Sequence, residues 1–140
     1  MKSLKLFSFA LLSFAFVLGS CGKYEEGPAI SLLPKKTRLA GVWKVEKYVD
    51  ANGTESTPAS GDESTWEFVK DGNFIAIAAG GGFSQTTEGT WEFSDDKESI
   101  LITFSVGGFP VTDSTKILRL KNKELWLTDS EGNETHLIPA

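Results

Sequence analysis

From Leu39 onward apolar and polar residues alternate one by one in short runs, and turn-forming residues interrupt the runs every eight to twelve positions. A chain patterned this way makes short strands with one buried face, because successive side chains on a strand point to opposite sides. In the first run Trp43, Val45 and Val49 fall on one face and Lys44 and Glu46 on the other. The period predicts eight strands, over residues 39–49, 65–70, 74–79, 86–93, 99–105, 114–121, 124–128 and 134–138. Asp71-Gly72-Asn73, Asp95-Asp96-Lys97, Asn122-Lys123 and Glu131-Gly132-Asn133 supply tight turns between them, using residues that tolerate the backbone of a hairpin. Eight antiparallel strands joined mainly by such turns form an up-and-down meander. Closing into a barrel protects its edges best, with a two-sheet sandwich as the alternative. The strand at 74–79 is apolar on both faces, so its outside needs cover, which residues 30–38 folded back as a short helix would provide.

Ahead of this domain lies a segment of another kind. Lys2 and Lys5 precede an apolar run at 6–18, followed by small residues and Cys21, the one cysteine of the chain. That is the layout of a secretory signal, and it is too short to favour a spanning helix. Leu18-Gly19-Ser20-Cys21 resembles the lipobox of bacterial lipoproteins, which implies cleavage after residue 20 and a diacylglycerol anchor with palmitate-type chains on Cys21. The alternative is an export signal cut elsewhere, leaving a free thiol. Residues 1–20 are thus expected to be a signal peptide, 21–36 a flexible lipidated tether rich in Gly and Pro, and 37–140 the folded domain. The expected location is the cell envelope, with the chain anchored to the outer membrane. Glu25 and Glu26 after Lys23 fit either a signal for the outer face or an ordinary charged linker.

Losing residues 1–20 removes Lys2 and Lys5 and no acid, which takes the formal charge from −5 to −7. Nucleic acid is an unsuitable partner for such a chain, because its phosphates need clustered basic side chains. Lys35, Lys36 and Arg38 form the densest basic group and read as a solvated approach to the first strand, or as a membrane-surface contact. One histidine and no phosphate-cradling loop argue against a catalytic triad or nucleotide chemistry. Glu67 and Glu92 fall opposite the tryptophans, so a two-carboxylate hydrolase is poorly supported. Asp95, Asp96 and Glu98 lack the ligand ladder of a calcium loop, and His136 has no second histidine to share a metal. The reading is a monomeric, non-enzymatic protein with no cofactor and no metal. Asp113-Ser114-Thr115 resembles a bacterial O-glycosylation site, with Ser114 as the acceptor.

Thr65-Trp66-Glu67-Phe68 and Thr90-Trp91-Glu92-Phe93 repeat one pattern, each with Trp and Phe on one face. In a meander alternate connections lie at the same end. The 50–63 loop, the glycine-rich 80–83 and 107–110 segments and the 131–133 turn therefore share one rim, opposite the tether. Phe83 and Phe109 sit on that rim, either as contacts for a ligand or partner or as plugs turned down into the barrel.

At Leu39-Ala40-Gly41-Val42-Trp43 the chain resembles the lipocalin signature, in which a first-strand Trp closes the base of the barrel. Phe68 to Asp71-Gly72, Gly89-x-Trp91, Leu118-x-Leu120 and Leu125-x-Leu127 follow in an order similar to the lipocalin-like lipoproteins of Gram-negative bacteria, over residues 37–138. True lipocalins are longer and set a late Arg against that Trp; here the last strand offers His136, and Arg119 lies one hairpin earlier. The resemblance implies an eight-stranded barrel holding a small apolar or amphipathic ligand. Trp43, Trp66, Phe68, Phe83, Trp91, Phe93, Phe104, Phe109 and Leu118 would contact it. The rival is a cavity-free barrel, filled by its four tryptophans, that works through its outer loops as an envelope module.

Overall fold

The computed structural model describes residues 33–140; the signal segment, Cys21 and the tether to residue 32 lie outside the described residues. Pro34 opens a single helical turn, α1 (Lys35–Leu39), its carbonyl accepting the N–H groups of Thr37 and Arg38. Nine strands follow: β1 (Gly41–Val49), β2 (Glu55–Ser56), β3 (Thr65–Phe68), β4 (Asn73–Gly80), β5 (Phe83–Phe93), β6 (Ser99–Val106), β7 (Phe109–Leu120), β8 (Leu125–Thr128) and β9 (Glu134–Pro139). From β3 to β9 each strand pairs antiparallel with the next, and β1 pairs with both β3 and β9. That closes an eight-stranded antiparallel barrel, as the alternation predicted. The extra strand β2 is a two-residue clasp on the upper end of β1, where Lys47 forms a salt bridge with Glu55.

The core occupies the end of the barrel nearest α1. Trp43 is in register with Trp66, Trp66 with Ala76 and Phe68 with Phe74, so one row of apolar side chains runs around the inside. Phe93, Trp91, Phe68, Phe74 and Trp66 form a chain of ring contacts with centroids 5.2 to 6.2 Å apart, mostly edge to face, the arrangement aromatic quadrupoles prefer. Ile100, Ile117, Leu120, Leu125, Leu127 and Leu137 complete the packing and are almost wholly removed from water. α1 seals this end. Leu39 is fully buried, the Trp43 indole donates to the Leu39 carbonyl at 2.8 Å, and the Arg38 guanidinium donates to the Leu120 carbonyl.

Two β-bulges change the faces that simple alternation assigns. A register shift between Val45 and Lys47 puts Tyr48 opposite Thr135, itself opposite Leu127, so Tyr48 faces inward and Val49 outward. A second shift between Ile117 and Arg119 turns Ile117 and Leu120 into the core and leaves Leu118 half-buried away from it. The interior role expected for Leu118 is thereby corrected: the extra residue of a bulge reverses the parity beyond it. The expected short helix exists, but it starts at Lys35, inside the stretch assigned to the tether, and it caps the base rather than covering β4. The outer face of β4 is flanked instead by cross-strand neighbours, with Glu67 and Glu88 beside Ile75 and Thr65 and Thr86 beside Ile77. Arg38, expected in solvent, is buried, and Lys36 stands over the Trp91 ring at 5.8 Å.

Candidate functional site at the barrel mouth

Above the core the barrel wall divides. β5 and β6 stay paired only from Phe93 opposite Ile100 to Gly89 opposite Phe104. β4 and β5 remain paired up to Gly80 and Phe83, and β6 and β7 up to Val106 and Phe109. β7 meets β8 only below Lys116. Two hairpin arms, 78–88 and 104–115, therefore rise over the packed base with no β-pairing between them. Both strands start earlier than the alternation indicated, at Phe83 rather than 86 and at Phe109 rather than 114. Each arm turns on a glycine pair, Gly81 with Gly82 (φ 58° and 84°) and Gly107 with Gly108 (φ 59° and 87°). Two successive left-handed residues make the tight turn that matches strand twist, and glycine adopts them without strain.

Phe83 at the first tip is 84% exposed and Phe109 at the second 75%. Neither ring plugs the barrel. Between the first arm and the 50–63 loop lies a cavity of about 530 Å³, open at the mouth. Tyr48, Ser64, Ala78 and Gln85 form its inner wall, Phe83 its lip, and Pro58 and Asp62 its loop side. Its size falls within the range of small-molecule sites. The Asp62 carboxylate lies over Gly80, where a Cβ would meet its Oδ1 at 2.1 Å, so the loop sits directly on the arm.

Of the residues expected to meet a ligand, Phe83 lines this cavity and Phe109 stands on the opposite arm. Trp43, Phe68 and Trp91 are packed in the base, with Trp66, Phe93 and Phe104 partly buried against it. Leu118 belongs to neither group. Sequence reasoning missed Tyr48, Ser64, Ala78 and Gln85. Ser64 and Ala78 only continue the inward alternation of Trp66 and Ala76, a signal that was there to follow; Tyr48 was hidden by the bulge below it.

The rim turns are held by aspartates. The Asp50 carboxylate accepts the Thr54 and Asn52 N–H groups, and these hold its pKa below the usual carboxylate value. The Asn133 side chain, with the Asn133 and Glu131 N–H groups, does the same for Asp129. Glu55 is lowered by its hydrogen bond to Lys47.

On the outside of the barrel Arg119, Trp126 and His136 are cross-strand neighbours and form a stack. The guanidinium lies 3.6 Å from the Trp126 centroid, and the His136 ring lies parallel at 4.0 Å. The fourth tryptophan is thus an outer-face residue rather than an interior filler. His136 is buried beneath it, 2.6 Å from Glu134. Among the described residues no group of His, Cys, Asp and Glu is arranged to hold a metal. Ser114 is exposed on the outer face of β7.

Comparison with known proteins bears on the fold. A lipocalin-like protein from Bacteroides uniformis is 24% identical, with a TM-score of 0.61 over 74% of this chain and 99% of its own. An uncharacterized protein from Bacteroides eggerthii is 20% identical, with a TM-score of 0.58 over 73% of this chain and 99% of its own. Insecticyanin from the tobacco hornworm Manduca sexta is 15% identical, with a TM-score of 0.62 over 87% of this chain and 70% of its own. A search of curated proteins finds no match. The lipocalin-like domain family matches residues 39–127, most of the barrel and more than half of the sequence, so the chain belongs to the lipocalin-like domain family.

Proposed function

We propose that this protein is a binding protein rather than an enzyme, and that it holds a small apolar or amphipathic molecule in the mouth of its barrel. The observation that carries this reading is the division of the interior: aromatics fill the base, while the mouth keeps a cavity of about 530 Å³ with an exposed Phe83 at its lip. An exposed aromatic ring beside a concave, half-polar wall fits a ligand with an apolar body and at least one polar group. A cavity-free envelope module would leave this space without a role. Native mass spectrometry of the full-length chain purified from its own host is expected to show an added mass that disappears on denaturation. A bare mass in repeated preparations would instead favour action through the outer loops.

The binding domain is proposed to hang from the outer membrane by a lipid on Cys21. The lipobox-like string supports this, and so does the position of α1 at the sealed end, which leaves the mouth directed away from the attachment point. Cys21→Ser is expected to move the protein from the membrane pellet to the soluble periplasmic fraction. Retention in the pellet would count against lipidation.

A further inference from the structure

One end of this barrel carries charge of a single sign. The segments that build the mouth, residues 50–64, 77–87, 104–114 and 129–135, contain eight acidic residues and neither Lys nor Arg. The base and its turns are mixed, with Lys35, Lys36, Lys70, Lys97, Lys121 and Lys123 beside Asp71, Asp95, Asp96, Glu98 and Glu124. Four of the mouth acids already have structural work. Asp50 and Asp129 fasten the rim turns, Glu55 pairs with Lys47, and Glu134 contacts His136. Two others are placed on the cup itself. Asp62 forms part of the cavity wall. Asp113 is in register with the core residue Ile102, which sets its side chain on the inner face of the second arm, above the packed base.

With Asp62 in the wall of the concave site and Lys47 already paired to Glu55, the acid-rich mouth carries a negative potential that low-dielectric walls focus. An anionic amphiphile such as a fatty acid would be repelled, and a neutral one would gain nothing from the field. Resting on the proposed binding role, we infer that the occupant of the mouth is an amphipathic cation: an apolar or aromatic body lies against Tyr48 and Phe83, and an ammonium or guanidinium group faces Asp62, with Asp113 on the second arm adding to the field. Aromatic faces at the lip add to the attraction for such a group.

The test uses the full-length chain in phosphatidylcholine nanodiscs, with empty discs as the blank, and three probes that share one naphthyl ring. They are (1-naphthylmethyl)trimethylammonium, 1-naphthylmethanol and 1-naphthalenesulfonate, titrated by calorimetry. The ammonium probe is expected to bind at least roughly tenfold more tightly than the sulfonate and more tightly than the alcohol. Raised salt should narrow the gap, because charges near the surface are screened. Asp62→Asn combined with Asp113→Asn should bring the ammonium down to the level of the alcohol. Removing two charges at the base turn, Asp95→Asn with Asp96→Asn, should leave the preference in place, which separates the local field from net charge. Equal binding of all three probes, or preference for the sulfonate, overturns the cation inference while the binding role stands. Binding of none overturns both.

Discussion

Trp91→Ala is expected to lower stability by about 3–5 kcal/mol, the usual cost of emptying a large aromatic site in a core. The side chain is 5% exposed, meets Phe68 and Phe93 edge to face, and donates its indole N–H to the Val69 carbonyl at 2.8 Å. Alanine would leave a void between two rings and remove one of the two donors to the Val69 carbonyl, which keeps the Gly72 N–H of the 69–73 turn. For a domain of this size the melting temperature should fall by roughly 15 °C or more. Trp91→Phe keeps a ring in the site and loses mainly the hydrogen bond, so its cost should be nearer 1–2 kcal/mol. A melting curve for Trp91→Ala that overlays the parent would remove Trp91 from the core.

Gly89→Val is expected to destabilise by about 3 kcal/mol, for the opposite reason. A Cβ at this position would lie 2.3 Å from the Thr103 carbonyl oxygen and 3.3 Å from the Phe104 Cβ. The first of these is backbone and cannot swing aside. β6 would have to separate from β5 at the last rung that joins the two arms, where Gly89 faces Phe104. Overpacking of this kind typically costs 1–3 kcal/mol and more where the neighbour is rigid. Chemical denaturation of the variant checks the figure, and a loss below about 0.5 kcal/mol, the scale of an ordinary surface change, would show that the two strands are not in such close contact.

The barrel was legible in the sequence because one face of every strand had to be apolar. Trp43, Trp66, Phe68, Trp91 and Phe93 could be placed on the inner side from alternation alone, and the turns followed from Asp, Asn and Gly at fixed places. The mouth was legible only in outline. Phe83 and Phe109 could be put on one rim, but the arms that carry them could not, since 83–88 and 109–113 are polar or mixed on both faces and are held as strands by hairpin pairing rather than by burial. Pro110 lies in the part of β7 that pairs only with β6, an edge where a missing N–H costs no ladder bond on the solvent side. The bulges at Val45/Lys47 and Ile117/Arg119 left no local signature and reversed the faces of Val49 and Leu118. The buried Arg38 was obscured in the same way: three nearby basic residues looked alike in sequence, and only the packing of α1 against the Leu120 carbonyl separates one from the others.

The seal that α1 places across one end makes the barrel a vessel rather than a conduit. Whatever occupies it must enter and depart by the same opening, so filling and emptying are competing events at one door. A protein built like this can store, shield or hand over a molecule, but it cannot pass one from its base to its top. On the proposed binding role, the residence time of a ligand would be set at the two arms and the loop beside them, apart from the aromatic base that carries the stability of the fold.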